Sequence, residues 1–313
     1  MGTDDVRLFP SGPTRENARE TLGDNLKLLR DGATKSGAML ELEHRFRITD
    51  VTARLDPDEE SVATVGRDVT PETLQREFRQ AGVVRGVVTP GRRPADEGYV
   101  RANNAVARLS VDRPFVPFAR LNGPRDPSET TAARLRNFAT SPESHHADPE
   151  DAEQYAYDDR FAGFSLDPAT DGLPTEDVLA VIEDAGAPVR VAAGRQFPPS
   201  TVTDTLLSYD FPVILSSFGG FPLDRGLMHE AIDLLEEFDE VYLDTAFVRY
   251  RDLLERGLLE HPDRIVFGSG APDAHPNVGV MEVLTLDLSE DHLNKVFDRN
   301  PARVVPELGS GGG

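Results

Sequence analysis

The chain contains no cysteine and no tryptophan. Without cysteine, disulfides, thiolate metal sites, iron–sulfur clusters and cysteine nucleophiles are excluded. Lysine is nearly missing too: Lys27, Lys35 and Lys295 are the only ones, so arginine supplies the rest of the 33 basic residues. Long apolar runs are lacking. None approaches the roughly 20 residues that span a bilayer, and no charged, apolar, small-residue series opens the chain as a signal peptide would. The expectation is a cytoplasmic protein with no membrane partner. Positive charge is short overall, with 33 Lys and Arg against 55 Asp and Glu, for a net charge of −22. Such a chain repels phosphate backbones and anionic lipid, which argues against nucleic acid as a partner. There is also no phosphate loop, no glycine-rich dinucleotide turn and no G-x-S-x-G elbow.

The acidic excess and scarce lysine resemble the composition of halophilic proteins, where molar salt shortens the Debye length to about 3 Å and screens self-repulsion. Runs such as Asp56-Pro57-Asp58-Glu59-Glu60 therefore read as solvated faces. At 313 residues and 38% hydrophobic content, the chain can build one large α/β barrel. Residues 1–45 read as an N-terminal extension whose helix starts after Pro13, repeats Ala18, Leu22, Leu26 and Leu29 on one face, and ends at Gly32. Such a face packs in cis or meets a partner chain. Residues 307–313, ending in Gly309-Ser310-Gly311-Gly312-Gly313, have linker composition and read as a flexible tail.

Between these ends, eight β-branched or apolar runs alternate with helical stretches: 46–52, 83–89, 115–121, 161–167, 189–193, 212–217, 241–246 and 265–270. Thr70-Pro71-Glu72 caps a helix that stops at Gly82, and 175–185 and 229–238 are helical in the same way. Eight such alternations over 46–306 predict an α/β fold, a (β/α)8 TIM barrel with an N-terminal helical extension, and place function at the C-terminal strand ends.

At those ends stand Val241-Tyr242-Leu243-Asp244-Thr245, Arg264-Ile265-Val266-Phe267-Gly268-Ser269-Gly270-Ala271-Pro272, Leu286-Asp287-Leu288-Ser289-Glu290-Asp291 and Asn300-Pro301-Ala302-Arg303. Weaker motifs precede them: Ile48 to Arg54, Gly163 to Pro168 and Leu215 to Gly220. Together these stretches resemble the amidohydrolase superfamily, in particular its amidohydrolase-related metal-dependent hydrolases and decarboxylases. That resemblance implies a divalent metal held by four histidines and an aspartate. The matching positions here are Thr52, Arg54, Ala192, Ser217 and Gly270, a degenerate set in which alanine and glycine offer no ligand and arginine brings positive charge. The expectation is accordingly that no cofactor is used, a divalent metal entering only if its site has moved to carboxylates such as Asp50, Asp167, Asp244 and Asp273 with His275.

Asp244 and Asp50 are the candidate catalytic residues. Arg54, Asp167, Arg195, Ser217, Arg249, Asp273 and His275 are the candidate ligand-binding residues, since guanidinium forks at a cleft suit a small anion. His145-His146 reads as part of a solvated loop. The functional expectation is a noncatalytic ligand-binding, regulatory or structural subunit that takes a small molecule or a protein partner such as an active paralogue, in a homo- or hetero-oligomer. The alternative is a divergent hydrolase or decarboxylase of a small carboxylate, lactone or amide.

Overall fold

A computed structural model describes residues 44–56, 70–128 and 141–309, with 130, 133 and 137. The helix expected over 14–31 and the glycines after 309 lie outside these residues. Among the described residues no helix is long and apolar enough to cross a membrane.

The strands follow in chain order as β1 (Ile48–Arg54), β2 (Val83–Thr89), β3 (Phe115–Pro117), β4 (Ala119–Leu121), β5 (Phe164–Leu166), β6 (Val189–Val191), β7 (Val213–Leu215), β8 (Val241–Asp244) and β9 (Ile265–Val266). Every pair is parallel, in the orders β1-β2-β3 and β4-β5-β6-β7-β8-β9. β3 and β4 are two halves of the single strand expected at 115–121. The break falls at Phe118, whose N–H donates to Val88 O, while Ala119 N–H donates to Gly163 O, so the chain passes from one neighbour to the next. Closure comes from Val51 N–H to Phe267 O at 2.9 Å, Arg54 N–H to Ala271 O at 2.8 Å and Gly270 N–H to Thr52 O at 2.9 Å. The result is the expected ring of eight parallel strands, which leaves no open edge.

Local chemistry sets the helix limits. Thr70 Oγ1 accepts from Thr73 N–H, Pro71 opens the helix Pro71–Ala81, and Gly82 ends it at φ 70°. Thr175 and Gly186 bound Glu176–Ala185 similarly. The helix expected at 229 begins four residues earlier, at Arg225, because Asp224 accepts from the amides of Gly226 and Leu227. In the 128–160 stretch, a capping box between Asp148 and Asp151 starts the helix Pro149–Ala156.

Strand alternation divides the barrel. Phe164, Leu166, Val189, Val191, Val213, Leu215, Val241 and Leu243 pack outward into the main core beneath the helices. Val51, Val87, Val116, Phe118, Ile214, Tyr242 and Val266 form an inner cluster closed by Val304, Val305 and Leu308. Leu308 is fully buried and its carbonyl accepts from Arg47, so ordered structure runs past the expected 306 boundary. This apolar plug leaves the polar inward positions to the C-terminal half of the barrel.

Candidate functional site

At the C-terminal strand ends lies a cavity of about 370 Å³. Arg190 of β6 lines it, in register with Ser165 on one side and Ile214 on the other. Nε donates to Thr52 Oγ1 at 3.3 Å and Nη1 to Ser165 Oγ at 3.1 Å. These two bonds fix the guanidinium plane. Among the described residues, Nη2 makes no hydrogen bond and Arg190 has no carboxylate ion-pair partner. Burial pushes its pKa below the ordinary arginine value, opposed by the nearby Asp244 charge.

The other cavity arginines are neutralised. Arg120 donates Nε to Asp171 at 2.7 Å and Nη2 to Asp167 at 3.1 Å, with its guanidinium over the Tyr99 ring. Arg54 pairs with Asp56 and Asp273, both at 3.0 Å. Arg195, on the lip, pairs with Asp224 at 3.1 Å. Arg54, Asp167, Arg195, Ser217 and Asp273 line one cavity.

Four sequence candidates stand elsewhere. Asp244 is fully buried and does not line the cavity: Oδ1 accepts from the amides of Ser217 at 2.8 Å and Ala246 at 3.0 Å, and Oδ2 accepts from the Thr52 hydroxyl. Asp50 is also fully buried, and its Oδ1 accepts from Thr52 N–H at 2.9 Å and Ser269 N–H at 3.0 Å. Burial raises both carboxyl groups above the usual range, Asp50 to about 7, against the hydrogen bonds that favour their charged forms. These aspartates hold strand ends together and do not line the cavity. Arg249 pairs with Glu282 away from the cavity. His275 caps the helix Pro276–Leu284 through Nδ1, while Nε2 meets Gln80 Oε1 at 2.9 Å, so it turns away from the cavity.

Arg190 is the site residue missed from the sequence. Its signal was present: one charged residue between Val189 and Val191, at the position that strand alternation turns inward. A second missed residue is Phe247, at φ 58°. A Cβ on Gly270, itself at φ 73°, would stand 2.4 Å from Phe247 Cζ and 2.5 Å from Cε2. The ring therefore covers the place where a side chain on Gly270 would begin. Ser217, Phe218 and Gly219 form a further run at positive φ beside the cavity.

The family profile described as Amidohydrolase matches residues 48–306. No curated protein matches the chain. Among solved structures, 2,6-dihydroxybenzoate decarboxylase from Rhizobium is similar at 14% identity and TM-score 0.59, over 85% of this chain and 100% of that one. 5-Carboxyvanillate decarboxylase from Sphingomonas paucimobilis is similar at 13% identity and TM-score 0.54, over 84% and 99%. Dihydroxybenzoic acid decarboxylase from Polaromonas sp. JS666, with bound manganese and the inhibitor 2-nitroresorcinol, is similar at 14% identity and TM-score 0.57, over 84% and 98%.

These neighbours correct the expectation that no cofactor is used: the manganese-bound structure points to a divalent metal as the cofactor carried by this fold. The residues of this cavity do not fit such an ion. Among the described residues no three His, Cys, Asp or Glu side chains converge to hold one. Ala192 and Gly270 supply no donor atom, and the Thr52 hydroxyl is committed to Asp244. Asp167 and Asp273 are held by arginines, and Arg190 would confront a dication with like charge.

Proposed function

The chain belongs to the amidohydrolase family, and on that premise we propose that its barrel is a noncatalytic receptor for small organic carboxylates. The observation that carries this reading is Arg190, a guanidinium lining the cavity with two bonds that orient it and a third nitrogen that has no hydrogen-bond partner among the described residues. A carboxylate placed there accepts from Nη2 and gains a charge-assisted bond in a site already desolvated on one side. Thr52 and Ser165 hold the donor in place beforehand, so little ordering entropy is lost on binding. Ser217 lines the same cavity and offers a hydroxyl.

The noncatalytic part of the reading rests on the acid–base groups. Asp50 and Asp244 are walled off, and Asp167 and Asp273 are tied to arginines, so among the described residues that line the cavity there is no unpaired carboxylate and no imidazole. The carboxylate class is supported by the names of the neighbours, which act on dihydroxybenzoate and carboxyvanillate. A second reading, a decarboxylase or hydrolase of a small carboxylate, is favoured by the manganese-bound neighbour.

The test is titration of the full chain with benzoate, with and without Mn²⁺, beside Arg190→Gln, together with assay of benzoate and dihydroxybenzoate for product. The proposal expects binding that Arg190→Gln abolishes and no product. Benzoate binding that survives Arg190→Gln overturns the receptor reading, and product formation dependent on Mn²⁺ establishes the second one.

A further inference from the structure

Phe197, Phe221 and Phe247 line the same cavity as Arg190. Phe197 is fully buried, but Phe221 is 54% exposed on the lip, with its ring edge-on to Phe247 at 6.2 Å between centroids. The Phe221 backbone is held, since its carbonyl accepts from Arg195 N–H at 3.3 Å, and a Cβ on Gly194 would lie 2.3 Å from that oxygen. A fixed backbone thus presents an apolar ring to water at the mouth of a charged cavity, an arrangement that favours an apolar body lying across it. Phe247 lines the cavity despite a left-handed backbone that bulky residues rarely adopt.

Charge decides how many anionic groups the occupant can carry. Arg54, Arg120 and Arg195 are already matched by five aspartates, namely Asp56, Asp273, Asp167, Asp171 and Asp224. Of the four arginines that line the cavity, Arg190 alone has no carboxylate ion-pair partner among the described residues. A second carboxylate on the ligand would leave Arg190 and meet Asp167 or Asp273, both of which line the cavity.

We infer that the occupant is a monocarboxylate with an apolar ring or a body of similar size, whose anionic end Arg190 takes and whose apolar face Phe221 and Phe247 read. The inference rests on the carboxylate reading above and adds to it the charge number and the specificity residues. A planar aromatic acid and a saturated cyclic acid share this chemistry, and the ligand series separates them.

The experiment is ligand-detected NMR titration of the full chain with acetate, benzoate, cyclohexanecarboxylate and terephthalate, on wild type, Arg190→Gln, Phe221→Ala and Phe247→Ala. Benzoate, cyclohexanecarboxylate or both should bind about tenfold tighter than acetate, and terephthalate at least about tenfold weaker than benzoate. Phe221→Ala, which removes a ring already half in solvent, should shrink the benzoate-to-acetate ratio several-fold while acetate affinity holds. Phe247→Ala should do the same. The inference is overturned if terephthalate binds as tightly as benzoate, if neither cyclic acid outbinds acetate, or if both phenylalanine variants weaken acetate and benzoate alike. Should Arg190→Gln bind all four acids as wild type does, the carboxylate reading itself fails. A ratio near one with binding still dependent on Arg190 sinks only the monocarboxylate inference.

Discussion

The ring of Phe247 occupies the space into which a side chain on Gly270 would grow, with Cζ 2.4 Å from the position of a Cβ. The two residues come from neighbouring strand ends, one after β8 and one after β9. Together they close the part of the cavity where the resemblance places an aspartate.

Gly270→Ala should therefore be costly. An alanine at φ 73° is strained, and the Phe247 ring must move. We expect a loss of about 2–4 kcal/mol in urea unfolding. The double variant with Phe247→Ala should lose less than the sum of the two single changes, because removing the ring frees the space that the new methyl needs.

Asp244 is expected to act on stability first. Asp244→Ala strips acceptors from the buried amides of Ser217 and Ala246 and from the Thr52 hydroxyl, for an expected loss of about 3–5 kcal/mol. Asp244→Asn keeps an oxygen for the amides and should lose less than half as much. Chemical denaturation of both variants checks the order, and equal losses would show that these bonds do not matter.

Stability should depend on pH through Asp50. Its carboxyl titrates near 7 when folded and at 3.8 otherwise, so between these values the unfolded chain has released a proton that the folded chain keeps. The unfolded state then binds fewer protons, and stability falls as pH rises through this window, by an amount on the order of a few kcal/mol. Asp50→Asn mimics the protonated form. Unfolding free energies measured across the window should show the wild-type slope reduced in this variant, and an unchanged slope would assign the titration to another group.

Arg190→Met should raise the melting temperature while abolishing benzoate binding. A guanidinium without a carboxylate partner is carried at a cost in stability, and an apolar residue of similar length removes that cost. A variant that binds normally, or melts well below wild type, would contradict this trade between binding and stability.

The net charge of −22 carries its own expectation. Salt screens surface repulsion, so melting temperature should climb from dilute buffer to molar KCl. A flat profile would separate the composition from salt adaptation.

The sequence by itself determined the barrel of eight strands and the ends of the helices Pro71–Ala81 and Glu176–Ala185. These follow from local causes: β-branched runs, Thr70 and Thr175 as caps, and Gly82 and Gly186 as stops, all of which act within a few residues. It also carried the family motifs and placed Thr52, Arg54, Ala192, Ser217 and Gly270 around one mouth. What it could not determine was which charges meet. Arg249 and His275 found partners elsewhere, and Asp50 and Asp244 sank behind the cavity wall, because those outcomes depend on neighbours more than a hundred residues away or on other elements. The pairing of Arg190 with Thr52 and Ser165 and the cover of Phe247 over Gly270 were decided by tertiary structure alone. Ion pairing and overlap are set by distances of a few ångströms across strands, and closure of the barrel is what creates those distances.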